Sequence, residues 1–240
     1  MGALHDGHIA LIERACELSS TVIVSIFVNP LQFESPDDLA KYPRDLLRDR
    51  NIALGAGATK VWAPSYEEIY PGEITKQSSG QLGTLFEGAE RLGHFDGVLT
   101  VIKRLFDLVR PDYAIFGEKD FQQLFIIKRW VSQNQIPVEI IAVPTIRDAD
   151  GVALSSRNSR LSPAELVSAQ VINKALRSKS KDEMRKVLAS EPKFELDYAE
   201  LIDEETFGPV TAKTSLSRGI IAGWINGVRL IDNMRMEADQ

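Results

Sequence analysis

The chain has 240 residues, 44% of them hydrophobic and 26% charged, with 28 Lys+Arg against 34 Asp+Glu for a net charge of −6. That is an ordinary globular composition, enough for one large domain or two unequal ones, and with Cys16 as the only cysteine it excludes a disulfide-stapled scaffold and a cysteine metal cluster. The acidic balance argues against nucleic acid as main partner, and no apolar run approaches the roughly 20 residues of a membrane helix. Residues 1–8 lack the basic and apolar parts of a signal peptide, so a cytoplasmic location without membrane or nucleic-acid partners is expected.

In chain order, Leu11, Ile12, Ala15, Cys16 and Leu18 recur at helical spacing and predict a helix over 8–19. The β-branched run 21–28 reads as a strand buried on both faces, stopped by Asn29-Pro30. Ser35-Pro36-Asp37-Asp38 has the form of an N-cap with proline in the first turn, 45–54 is predicted helical, and 60–63 is a short strand. Residues 64–94, rich in Gly, Ser, Glu and Pro with Tyr66 and Tyr70 interspersed, show no period and are expected to be loop and short strand near a site.

Val98, Leu99, Ile102, Leu105, Phe106 and Val109 predict a helix over 95–109, which Pro111 ends. A strand at 113–116 runs into Gly117-Glu-Lys-Asp120 and a helix over 121–132, and Pro137 opens a strand at 138–143. This alternation predicts a doubly wound, Rossmann-like α/β fold: a mostly parallel sheet covered by helices, with ligands beyond the carboxyl ends of its strands. The charged, Gly- and Ser-containing stretch 144–161 breaks the pattern. Helices at 163–177 and 181–190 and short strands near 196–202 and 219–232 then form a smaller α+β domain, so the expected division is 1–146 and 147–240.

Two of the three histidines stand in His5-Asp-Gly-His8 at the entrance to the first helix. Imidazoles one turn apart, with glycine between, bring N–H donors together at the positive end of a helix, where a phosphate fits. The alternative is a pair of surface or capping histidines; zinc is less suited, because no third His or Cys is near. Lys119, directly after a strand, would project from the carboxyl edge of the sheet, although alone it reads equally well as a solvated turn lysine. Ser155-Ser156-Arg157-Asn158 offers hydroxyls and a guanidinium to phosphate oxygens, although alone it reads as a linker. Together the three clusters are directed at phosphate and fall where an α/β nucleotide site would want them.

His5-Asp-Gly-His8, Phe27-Val-Asn-Pro-Leu-Gln-Phe33, Tyr42-Pro-Arg44, Phe116-Gly-Glu-Lys-Asp-Phe-Gln-Gln123 and Leu154-Ser-Ser-Arg-Asn158, in this order, resemble the pantothenate synthetases, the pantoate–β-alanine ligases of the cytidylyltransferase-like superfamily. The likeness continues through Leu196-Asp-Tyr-Ala-Glu200 and Arg229-Leu-Ile-Asp-Asn233. It implies a ligation in which ATP and pantoate give pantoyl adenylate and pyrophosphate, and the β-alanine amine then displaces AMP. It also implies magnesium, a homodimer and a lid role for the smaller domain. By the same resemblance His5 and His8 contact the ATP phosphates. Lys119, Ser155, Ser156 and Arg157 are mobile phosphate-binding residues that share the catalytic work with them. Met1 and Gly117 belong to the ATP side, and Asp120 lies beside the ribose. Asn29, Gln32 and Gln123 hydrogen-bond pantoate with Tyr42 close by, and Glu87 and Arg91 belong to the pantoate-side wall and dimer contact. Asp49 matches an acidic position associated with magnesium.

The residue types suit this chemistry. Attack of a carboxylate on the α-phosphorus builds negative charge on phosphate oxygens, which calls for cations and N–H donors rather than a covalent nucleophile. Neutral amides can donate to and accept from a substrate with two hydroxyls and a carboxylate. No base for the β-alanine amine stands out, which leaves proximity as the source of that rate. Family members carry a further segment before the match to Met1, including the first strand of the sheet, so a truncated form is expected, weakened in stability and activity and with a gap in the sheet beside residues 21–28. Two rival readings remain at this point: another nucleotidyltransferase acting on a phosphate ester, and a catalytically silent nucleotide-binding relative.

Overall fold

The structure, a computed structural model, describes residues 2–33, 36–178 and 180–236. The chain divides into two compact units, one of Met1–Gly117 with Gln122–Val143 and the other of Glu118–Phe121 with Pro144–Gln240. The second therefore takes in Glu118–Phe121 and residues 144–146, which the sequence reading places in the first domain.

The first unit runs α1 (Asp6–Leu18), β1 (Ile23–Ser25), α2 (Pro36–Lys41), α3 (Leu46–Gly55), β2 (Lys60–Trp62), α4 (Tyr66–Ile69), α5 (Glu87–Glu90), α6 (His94–Val109), β3 (Tyr113–Gly117), α7 (Phe121–Gln133) and β4 (Glu139–Val143). It is the expected α/β alternation with parallel pairing: β1 lies on β2 with Val24 opposite Val61, and β3 lies on β4 with Ile115 opposite Ile141. These pairs are separate two-stranded sheets. Among the described residues β1 pairs with β2 alone.

Two expectations change in this unit. The first strand spans only Ile23–Ser25, and it is not buried on both faces: Val24 is 2% exposed but Ile23 is 39%. Successive side chains of a strand point to opposite faces, and only the Val24 face meets the cluster of Leu4, Ile12, Val22, Ala53 and Ala58. No strand occurs among residues 64–94. Their backbone is held instead by side chains of α6, with Ser79 donating from its amide and hydroxyl to Asp96 Oδ1 at 2.8 and 2.6 Å, and the Gln77 amide donating to Thr100 Oγ1 at 3.0 Å. The N-cap assigned to Ser35 lies outside the described residues. Helix α6 itself is placed as its periodicity requires, burying Phe95, Val98, Leu99 and Ile102 and ending at Arg110, φ 49°, before Pro111.

The second unit contains α8 (Pro163–Leu176), α9 (Lys181–Ala189) and an antiparallel sheet of β5 (Phe194–Asp203), β6 (Ser217–Ile225) and β7 (Val228–Met236), in that spatial order. Ser162 and Glu165 form a capping box that starts α8, with Pro163 in the first turn. Ala169, Ile172, Leu176, Met184, Leu188, Ile221 and Ile225 fill the core between helices and sheet. The short strand expected near 219–232 is instead a hairpin of two long strands, because Asn226 and Gly227 take φ values of 49° and 73°, the left-handed pair that a tight hairpin turn demands. No helix among the described residues is long and apolar enough to cross a membrane.

Candidate active site

The histidine pair sits where α1 begins. His5 is the N-cap, its Nδ1 accepting the Gly7 N–H at 3.1 Å, while His8 Nδ1 accepts the His5 N–H at 3.3 Å, and the ring centroids lie 4.2 Å apart. Capping and phosphate-directed roles are therefore compatible. A neutral imidazole that accepts through Nδ1 carries its proton on Nε2, so both rings are Nε2–H donors at the positive end of a helix.

The backbone entering this motif is fixed by Asp49, in the first turn of α3. Its carboxylate is 1% exposed and accepts the Ala3 N–H at Oδ2 and the Leu4 N–H at Oδ1, both at 2.8 Å. Leu4 is fully buried, and Ala3 adopts φ 51°, a left-handed conformation that an alanine holds only under constraint. Both carboxylate oxygens accept backbone amides, and no group of three His, Cys, Asp or Glu gathers around Asp49 among the described residues. These residues do not fit a protein-held cation at Asp49. Tyr42 lies close by, donating to the Gly2 carbonyl at 3.3 Å and packing edge-on against Phe33. Met1 lies outside the described residues.

A second cluster in the same unit surrounds the 3₁₀ turn Pro30–Gln32. Asn29 is 2% exposed and fully engaged within the protein: Nδ2 donates to Gly97 O at 3.0 Å and Gln32 Oε1 at 3.3 Å, and Oδ1 accepts from Leu31 N and the Tyr70 hydroxyl. Burial, with the neighbouring Tyr66 adding to it and Arg104 opposing, pushes the Tyr70 phenol above its ordinary value and keeps it a neutral donor. The Gln32 carbonyl meets His94 Nδ1 at 2.8 Å and accepts from Arg91 Nη2 at 3.4 Å, with Arg91 Nη1 3.1 Å from His94 Nε2. Helix α6 approaches this turn backbone to backbone: a Cβ on Gly97 would fall on the Leu31 carbonyl and 2.8 Å from the Gln32 nitrogen.

Gln123, on α7, is partly buried, and its amide makes no hydrogen bond among the described residues. Its neighbour Gln122 is a strap, donating to Leu82 O and Leu85 O at 2.9 and 2.7 Å and accepting the amide of the buried Glu87 at 3.1 Å. Gly117 ends β3 opposite Val143.

The remaining phosphate-directed residues belong to the second unit. Lys119 lies in the 3₁₀ turn Glu118–Asp120, and its ammonium makes no hydrogen bond or ion pair among the described residues. Ser155 caps the turn Ser156–Arg160, accepting the Arg157 N–H at 3.2 Å. Both turns pack on β7.

Within the first unit the structure thus joins His5, His8 and Asp49 in one group and Asn29, Gln32 and Arg91 in another; Lys119, Asp120, Ser155, Ser156 and Arg157 fall in the second unit. Sequence reasoning assigns no role to Tyr70, His94, Gln122 or Gly97, although Tyr70 stands in the stretch expected near a site, Gln122 lies inside the 116–123 motif and His94 is the third histidine.

The family model for pantoate-beta-alanine ligase matches residues 1–235. Pantothenate synthetase of Thermus thermophilus is 45% identical, with the match covering 98% of this chain and 91% of the relative, and that of Moorella thermoacetica is 42% identical over 100% and 89%. Among solved structures, the pantothenate synthetase of Thermus thermophilus superposes with a TM-score of 0.95 at 44% identity, covering 99% of this chain and 91% of that one. Francisella tularensis pantoate-beta-alanine ligase, complexed with beta-gamma ATP and beta-alanine, superposes at 0.85 with 36% identity, covering 100% and 88%. On this likeness over nearly its whole length, the chain belongs to the pantoate–β-alanine ligase family.

Proposed function

We infer that this chain catalyses the ATP-dependent ligation of pantoate and β-alanine to pantothenate through a pantoyl-adenylate intermediate, releasing AMP and pyrophosphate. The observation that carries this reading is the family match over residues 1–235. The relatives named above are all enzymes of this reaction, which leaves the rival nucleotidyltransferase and silent-relative readings without support.

In the first step the pantoate carboxylate attacks the α-phosphorus and pyrophosphate leaves with the bond electrons. The charge that develops lies on non-bridging and leaving oxygens, and preorganised donors lower its energy. His5 and His8 supply Nε2–H groups there, and Lys119, Ser155, Ser156 and Arg157 supply an ammonium, hydroxyls and a guanidinium, with Gly117 and Asp120 on the nucleoside side. Gln32 and Gln123 bind pantoate through their amides. Asn29, with every hydrogen-bonding group engaged, orients Gln32, and Glu87, Arg91 and Tyr42 form the surrounding wall. In the second step the amine attacks the acyl carbon, AMP leaves, and positioning supplies much of the rate.

Magnesium, implied by the family resemblance, would arrive on the ATP phosphates rather than in a carboxylate cage, consistent with the commitment of Asp49 to backbone amides. By the family resemblance the C-terminal unit acts as a lid and the enzyme works as a homodimer, and the single cysteine fits a reducing cytoplasm.

The test is isotope exchange between pyrophosphate and ATP, which should require pantoate and proceed without β-alanine. Exchange supported by a phosphate-ester acceptor and not by pantoate would overturn the assignment.

A further inference from the structure

The motif Arg229-Leu-Ile-Asp-Asn233 has no part in the mechanism above, yet two of its polar side chains are buried, Asp232 at 5% exposed and Asn233 at 4%. Asn233 Nδ2 donates to the carbonyls of Glu118 and Lys119, each at 2.9 Å. Its Oδ1 accepts from Arg218 Nη1 at 2.5 Å, so both ends of the amide are used and its orientation is set. Arg218, 4% exposed, also lies 3.4 Å from Glu118 Oε2, donates through Nε to Glu204 Oε1 at 2.8 Å, and stacks its guanidinium 4.0 Å from the centre of the Phe121 ring. Asp232 is gripped by both terminal nitrogens of Arg147 and accepts the Asn233 N–H at 2.8 Å, which pins the strand at that point.

We propose that Asn233 is a positioning residue for Lys119: with Arg218 it fastens the backbone of the Lys119 turn to β7 and so sets the lysine in fixed register with the Ser155–Arg157 donors, whose turn packs on the same strand. The carbonyls held are those of Lys119 and the residue before it, so their loss frees the ψ and φ angles that aim the lysine side chain. A network of buried, mutually satisfied polar groups specifies one geometry, and a phosphate donor displaced by about 1 Å costs on the order of 10²-fold in rate. The inference rests on the reading that Lys119 acts on the ATP phosphates.

The experiment is a double-mutant cycle on single-turnover adenylate formation with Asn233→Ala, Lys119→Ala and the pair. Asn233→Ala should slow adenylation about 10- to 100-fold with the pantoate KM unchanged, and in the Lys119→Ala background its effect should shrink to less than about threefold. Equal effects of Asn233→Ala in the two backgrounds would overturn the proposal and make Asn233 a purely structural residue. Near-normal adenylation by Lys119→Ala alone would remove the reading of Lys119, and the proposal with it, a result distinct from additivity. Should Asn233→Ala fail to fold, Asn233→Ser, which retains a donor of shorter reach, enters the same cycle under the same two criteria.

Discussion

Changing Asp49 to asparagine tests what that carboxylate is for. The substitution keeps the shape and one carbonyl oxygen but turns the other oxygen into an NH₂, which then faces a backbone N–H. Of the two 2.8 Å hydrogen bonds to Ala3 and Leu4, one is lost and a buried donor is left without an acceptor. Hydrogen bonds to a charged group contribute about 1.5–3 kcal/mol each, so the first unit should lose about 2–3 kcal/mol and its thermal midpoint should fall by roughly 4–12 °C. Because His5 follows Leu4 directly, adenylation should slow and the KM for ATP should rise while the KM for pantoate holds. Thermal melts, steady-state kinetics and a magnesium titration read the three effects. The magnesium concentration giving half-maximal activity should not move, since the carboxylate serves the two amides. An unchanged melting point together with a roughly tenfold increase in that concentration would show that the carboxylate serves magnesium and that the anchoring argument is wrong.

Lys119→Ala should slow adenylate formation about 10²–10³-fold, the loss expected when one preorganised electrostatic donor is removed, with stability nearly unchanged; single-turnover quench-flow measures it. Gln123→Leu should raise the KM for pantoate by roughly tenfold or more and spare ATP binding, because the substrate's polar groups lose their partner; equal damage to both ligands would assign Gln123 to the fold. Gly97→Ala places a methyl on the Leu31 carbonyl, so about 1–3 kcal/mol of overpacking strain should appear in denaturant melts, together with weaker pantoate binding. Burial pushes Glu204 upward, but Arg235 and Arg218 outweigh it and hold the carboxyl below its usual 4.5. A depressed folded pKa contributes stability that is present above the unfolded value and disappears as pH falls through the folded one. Glu204→Gln should therefore flatten the acid limb of the stability curve below about pH 4.5, and an unaltered limb would show that another carboxylate controls it.

Helices are legible where periodicity is strong. Helix α6 advertises its buried face through Val98, Leu99 and Ile102, and Pro111 marks its end. Residues 21–28 announce a strand but not its burial, because a β-branched run reports backbone preference and says nothing of which faces other elements cover. The hairpin after β6 is written in Asn226-Gly227. For the site, the motif residues are legible through the family resemblance, whereas their supports are not: Tyr70 reaches Asn29 across 41 residues and His94 reaches Gln32 across 62. The same holds for Glu118, whose carbonyl is held by Asn233 from 115 positions away. Composition and spacing carry no trace of contacts at such separations. Asp49 adds a further contact of this kind, its carboxylate accepting the amides of Ala3 and Leu4 from 46 and 45 positions away.

Because Glu118–Phe121 belongs with residues 144–240, the polypeptide passes between the units at 117/118, at 121/122 and at 143/144. Modularity in the ordinary sense, a clean cut yielding two autonomous halves, is therefore denied to this protein. A C-terminal fragment beginning at Pro144 would inherit Asn233 and Arg218 without the carbonyls and carboxylate that satisfy them, and an N-terminal fragment would keep a turn whose anchorage had gone. A cut at the obvious linker near residue 144 would therefore divide the sequence at a point that does not divide the units.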